Sequence, residues 1–283
     1  MHKLNSDHER VWNKIPELSL LFWIMKITAT TLGETGGDLL AQTLNVGYAS
    51  STLIFFAFFL VMVTCQLIAK RYIPVIFWAV IVATSTAGTT MSDYMDRTLE
   101  LGYALGSLIL VSVLIITLIT WRLTEKTLSV TNINSFRGEI FYWIAILFSN
   151  TLGTALGDFL ADDSGLGFGG SALLISGVLL VVVLAYYFTK ISRVVLFWIA
   201  FVLTRPFGAT FGDLLTKSHE KGGLDYGTRG ASLILFGLLV ALIIYETVKL
   251  KRQSLIKQNA DSKDRSQLHE PVDEDRGEGK SKH

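Results

Sequence analysis

The segment WIMKITATTLGETGGD, residues 23–38, is written four times in this chain. The further copies are WAVIVATSTAGTTMSD at 78–93, WIAILFSNTLGTALGD at 143–158 and WIAFVLTRPFGATFGD at 198–213. Each has a Trp, a Gly ten residues on, a small residue four beyond that, and then an Asp. Agreement at four positions in four copies marks an internal repeat, and the repeat sets the architecture. Each copy also puts a carboxylate in or beside a long apolar run, where charge is costly and tends to be functional.

The composition around these copies points to a membrane. Of 283 residues, 51% are hydrophobic, and the mean hydropathy is +0.46. Apolar runs of about 20 residues recur, enough to cross a bilayer as helix. The expected fold is all-α: a polytopic membrane protein of about eight transmembrane helices, built from four two-helix repeats in two pseudo-symmetric halves. The net charge of +1 says little, because the charges are segregated. A single cysteine, Cys65, allows no internal disulfide, and the five His lie outside the apolar runs, which speaks against a buried His-rich zinc or copper site. The first apolar run carries Lys26, Glu34 and Asp38 and shows no small-residue cleavage site, so it reads as a span and not as a removed leader.

Spans are expected at 18–40, 48–69, 73–95, 102–121, 139–161, 168–189, 194–216 and 229–249. Within a repeat, the first helix carries the motif and the second is plainly apolar. A turn with Gly47-Tyr48, Gly102-Tyr103 or Gly167-Phe168 joins them, and the fourth copy has Asp225-Tyr226-Gly227 instead. The motif Trp residues step by 55, 65 and 55, and the wide middle step holds a polar link. The chain thus divides into an N-terminal segment 1–17, a first half 18–124, a linker 125–138, a second half 139–250 and a charged tail 251–283 expected to be disordered. With two spans per unit, all four units enter the membrane from one side. Lys3, Arg10, Lys14, Lys70, Arg71, Arg122, Lys126, Arg137, Lys190 and Arg193 crowd one set of flanks, which predicts that both termini are cytoplasmic.

Residues four apart share a helical face, and at that step each motif helix shows a polar stripe. The stripes read Lys26-Thr30-Glu34-Asp38-Gln42, Ser85-Thr89-Asp93-Arg97, Asn150-Thr154-Asp158-Asp162 and Arg205-Ala209-Asp213-Lys217. Four such stripes around one axis would make a central polar site. Glu34, Asp38, Asp93, Asp158 and Asp213 are the candidate metal ligands, and Thr30, Thr89, Asn150 and Thr154 can add neutral oxygens. Oxygen donors without thiol or imidazole suit a hard cation such as manganese or magnesium, or protons. Asp93 with Arg97, and Asp213 with Lys217, are also spaced to pair within one helix. Lys26 is expected to snorkel toward the cytoplasmic face. Arg205, the deepest cation, precedes Pro206, which is expected to break the span there. It is placed either to neutralise motif carboxylates or to bind an anion. Small residues four apart, as in Gly33/Gly37 and Gly153/Gly157, let helix backbones approach closely in lipid.

The four segments Gly33 to Asp38, Gly88 to Asp93, Gly153 to Asp158 and Gly208 to Asp213 resemble a family of bacterial uncharacterised "membrane-anchored" multi-span proteins with four short repeats ending in Gly-Asp. The resemblance covers about residues 20–250; copy two departs from it with Ser92. It implies a bacterial plasma (inner) membrane and carries little about function.

The expected function is transport of a divalent cation such as manganese, with proton-coupled export as one form of it. The alternatives are a carrier of another small solute or anion using Arg205, and a non-transporting scaffold or sensor. An enzyme is not expected. The Gly-Asp pair resembles intramembrane aspartyl proteases in that pair alone, since Thr35, Thr90, Ala155 and Thr210 stand where those have a further glycine. No P-loop pattern is present, so no ATPase is expected. The partners expected are the lipid bilayer and a small cation, with no nucleic acid and no covalent cofactor, in a monomer or homodimer.

Overall fold

The computed structural model describes residues 14, 16–130, 133 and 135–268. The expected N-terminal segment up to residue 13 and the tail beyond 268, with Lys3 and Arg10, lie outside the described residues. Eight long helices follow in order: α1 Leu20–Asp38, α2 Tyr48–Ile68, α3 Pro74–Asp93, α4 Gly102–Glu125, α5 Phe136–Asp158, α6 Gly167–Phe188, α7 Arg193–Thr216 and α8 Gly227–Leu268. Seven are long and apolar enough to cross a membrane. The eighth, α1, carries Lys26, Glu34 and Asp38 within 19 residues. It occupies the place in repeat one that α3, α5 and α7 occupy in theirs. The protein is a polytopic membrane protein.

The start signals are local. Ser19 caps α1 and Ser135 caps α5 through side-chain oxygens, and Pro74 opens α3 where its missing N–H costs nothing. Directly after the motif Asp, three motif helices widen into a π-helical turn: Leu39–Thr43, Tyr94–Thr98 and Phe159–Asp163. Such turns are rare and tend to sit at functional sites. Repeat four has a short 3-10 turn instead, His219–Lys221. Gly47, Gly102, Gly167 and Gly227 all take positive φ at the start of the second helix, so Gly227 is the fourth counterpart of the turn glycine.

Contacts divide the chain into one unit up to Ile243 and a second from Ile244 onward. In the first, α1, α3, α5 and α7 form a closed ring: α1 packs on α3 and α7, and so does α5. Outside it, each second helix leans on the motif helix of the next repeat, α2 on α3, α4 on α5 and α6 on α7. α8 closes the circle, because Ser232 Oγ donates to Thr35 Oγ1 of α1 at 2.9 Å. The outer helices expose Leu53, Leu60, Leu108, Ile116, Leu173, Leu180 and Leu233, a surface that needs lipid.

The motif glycines make the ring possible. A Cβ at Gly33 would fall inside Ser85, one at Gly153 inside Arg205 and one at Gly208 inside Thr30; at Gly88 it would meet the Asn150 backbone at 3.0 Å. In every case the obstacle belongs to the neighbouring repeat in the ring. Below the glycines the Trp ends interlock in the same sense. Phe22 meets Trp78 at 5.7 Å, Phe77 meets Trp143 at 5.8 Å and Phe197 meets Trp23 at 5.9 Å between ring centroids. This aromatic belt lines one end of the ring.

Two expectations are corrected. α7 is continuous through Pro206, with Gly153 of α5 leaving room for the proline ring. The disorder expected from residue 251 does not begin there: α8 continues to Leu268. Extension of a formed helix costs little, and the stretch is rich in Lys, Gln, Arg and Leu and free of Gly and Pro.

Candidate functional site

The four polar stripes meet inside the ring and stack in layers, one residue per repeat in each. Nearest the Trp belt lie Lys26, Ile81, Ile146 and Phe201, all fully buried. Next come Thr30, Ser85, Asn150 and Arg205, then Glu34, Thr89, Thr154 and Ala209, and then the four motif Asp residues.

The middle layers form one knot. Arg205 reaches from α7 to Glu34 Oε2 of α1 at 3.1 Å. It also donates to the Thr30 carbonyl at 3.3 Å, to Thr154 Oγ1 at 2.7 Å and to Thr89 Oγ1. Thr89 Oγ1 in turn lies 3.2 Å from Glu34 Oε2. All four motif helices therefore meet on one buried ion pair. Such a pair is not necessarily stabilising over apolar packing, but breaking it on one side costs about 3–5 kcal/mol.

The Asp layer is arranged in two pairs. Arg97 lies 3.0 Å from Asp93 through Nε and 3.2 Å from Asp158 through Nη2, tying repeat two to repeat three. Lys217 Nζ lies 2.6 Å from Asp38 and 3.1 Å from Asp213, tying repeat one to repeat four. Gln42 also donates to Asp38. Burial pulls the Lys217 ammonium down, but Asp213 and Asp38 outweigh it and hold its pKa above the ordinary lysine value. On this second side the carboxylates are joined by a third. Oxygens of Glu34, Asp38 and Asp213 all lie within 4.8 Å of one another. Opposed ligands of a calcium-sized ion, at about 2.3–2.6 Å each, lie that far apart, and a smaller divalent ion needs the three oxygens to draw closer. Lys217 also lines an open vestibule of about 410 Å³, shared with Gln42, Thr216, Lys221 and Arg229.

Of the candidate residues, the structure thus gathers Glu34, Asp38 and Asp213 into one group. Asp93 and Asp158 form a second, outside that trio. Thr30, Thr89 and Thr154 surround the Arg205–Glu34 pair. Asn150 turns elsewhere: its Nδ2 donates to Thr84 Oγ1 at 2.9 Å and its Oδ1 faces Lys26 Nζ at 3.4 Å, so it is withdrawn from the ligand set. Lys26 does not snorkel, being fully buried in its layer. Arg97 and Lys217 make the contacts expected within their own helices. Both also bridge across the ring, to Asp158 and Asp38, which the i+4 stripe of a single helix does not reveal.

Four segments, residues 21–72, 76–127, 141–192 and 196–249, match the family model described as Repeat of Unknown Function (DUF347). The chain belongs to this repeat family. Each DUF347 segment takes in one motif helix and the apolar helix after it, so the family's unit is the two-helix repeat seen in the ring. No curated protein and no solved structure matches the chain.

Proposed function

We propose that this protein transports a divalent cation, such as manganese, along the axis enclosed by α1, α3, α5 and α7, with proton-coupled export as its direction. The observation that carries the reading is the trio Glu34, Asp38 and Asp213, three buried carboxylates gathered within 4.8 Å beside a vestibule. Lys217 and Arg205 are the cations that balance this trio in the structure. A divalent ion would take the place of the Lys217 ammonium between Asp38 and Asp213 and draw Glu34 from Arg205. Oxygen-only ligands favour a hard ion over zinc or copper. The chain would sit in the bacterial plasma membrane, as the resemblance to the "membrane-anchored" proteins implies, with the Trp end and both termini on the cytoplasmic side. The excess of Lys and Arg at the Trp end, among them Lys14, Lys70, Arg71, Arg122 and Arg193, supports that sidedness.

The test is Mn²⁺ flux in proteoliposomes. Wild type should move Mn²⁺, and Asp38→Asn and Asp213→Asn should not. Full activity in both variants would refute the carboxylate site. A second reading, transport of a small anion, draws on Lys217, Lys221 and Arg229 around the vestibule and not on Arg205, whose guanidinium is committed to Glu34 and its neighbours. Uptake of labelled phosphate or sulfate without Mn²⁺ flux would decide for it.

A further inference from the structure

Among the described residues, three of the four cations on the ring axis have carboxylate partners, Arg97, Arg205 and Lys217, and Lys26 has none. Its side chain is fully buried, and its Nζ makes one long contact with Asn150 Oδ1 at 3.4 Å and lies 4.0 Å from the centre of the Phe201 ring. An ammonium has three N–H donors and carries a charge that a dry interior disfavours unless paired. The corresponding residues of the other repeats are Ile81, Ile146 and Phe201, so packing of the layer does not call for a lysine. The neighbouring helices bring little charge to it. At this depth α3 contributes Ile81, Thr84 and Ser85, α5 contributes Ile146 and Asn150, and α7 contributes Phe201 and Arg205. On α1 itself the nearest carboxylate along the stripe, Glu34, is held by Arg205.

Building on the divalent-cation reading, we propose that Lys26 is the proton-carrying site of the transporter, loaded when the carboxylate trio is empty and unloaded when a cation fills it. With the trio empty, Glu34 neutralises Arg205, and the axis can hold the Lys26 ammonium. When a divalent cation takes Glu34, Arg205 loses its partner, and two positive charges then face Lys26 from the layers above. The ammonium then gives up its proton toward the Trp end of the ring and the bulk water beyond it, and the electron pair stays on Nζ. The neutral amine can still donate to Asn150 Oδ1, so the fold of the layer is retained. Return of a proton to Nζ favours release of the cation. Cation and proton thereby exclude each other, which is the requirement for exchange.

The test uses the full-length protein in detergent under weak buffering. Bound Mn²⁺ and released protons are measured together, the latter with a pH-indicator dye. Lys26→Met and Lys26→Gln, the second keeping a polar group beside Asn150, should still bind Mn²⁺ but release about one proton fewer per ion than wild type. In proteoliposomes they should keep downhill Mn²⁺ flux and lose proton-driven accumulation. Proton release equal to wild type in both variants would overturn the proposal and leave cation transport standing. Loss of Mn²⁺ binding in both would also overturn it, by making Lys26 part of the binding framework. Absence of Mn²⁺ binding by wild type would remove the transport reading itself.

Discussion

The two bridges of the Asp layer have the same plan and different chemistry. In each, one cation joins two motif carboxylates from adjacent repeats: Arg97 between Asp93 and Asp158, Lys217 between Asp38 and Asp213. Arg97 uses separate N–H groups of a rigid, permanently charged fork, one for each carboxylate, and this is a clamp. Lys217 presents a single point charge to both carboxylates, with Glu34 close by as a third. Another cation can take the place of a point charge, whereas a fork fixes geometry. On the proposed reading, one seam holds the ring together and the other exchanges its cation.

The largest effect expected lies one layer deeper, where both seams meet. Glu34→Ala strands the fully buried Arg205 and should lower stability by about 3–5 kcal/mol, read as a fall in thermal unfolding in detergent. The double variant Glu34→Gln with Arg205→Met should recover most of that loss yet fail to bind Mn²⁺. The comparison of seams is then tested by calorimetric titration. Asp38→Asn and Asp213→Asn should weaken Mn²⁺ binding by roughly 10- to 100-fold, since a charged contact is worth about 1.5–3 kcal/mol. Asp93→Asn and Asp158→Asn should leave the affinity close to wild type. Equal losses in all four would erase the distinction between clamp and exchange site.

A packing contrast tests the ring itself. Gly153→Ala drives a methyl into Arg205 and should cost about 1–3 kcal/mol. Gly36→Ala meets only Thr86 Cγ2, at 3.7 Å, and should change unfolding by less than about 0.5 kcal/mol. A last contrast concerns Lys217. Lys217→Gln frees Asp38 and Asp213 and should tighten Mn²⁺ binding about tenfold, near 1.4 kcal/mol; Arg97→Gln should not. The pKa of Lys217 is raised, so its bridge is complete below the ordinary lysine value of about 10.4 and is lost only as pH rises through the folded value. Competition between Lys217 and Mn²⁺ should therefore not vary across the neutral range.

The helices were legible because lipid enforces a simple rule: long apolar runs become helices whose backbone groups are satisfied internally. The expected span 48–69 became Tyr48–Ile68, and 194–216 became Arg193–Thr216. The polar layers were legible too, because the step of four is a property of one helix. Partners across helices were not. Nothing local says that Arg97 of repeat two reaches Asp158 of repeat three, or that Lys217 of repeat four reaches Asp38 of repeat one. Lys26 was misplaced for the same reason. Its exit to the surface depends on whether neighbours such as Phe201 block it.

The sequence by itself determined the four-fold repeat, the helix that carries each carboxylate and the depth at which each sits, since spacing along one chain fixes all three. Only the tertiary structure decided the ring order of the helices, and with it the division of five carboxylates into two clamped by Arg97, two bridged by Lys217 and one paired with Arg205. Ion pairing is set by distances between helices. Those distances come from glycines of one repeat meeting the residues of the next.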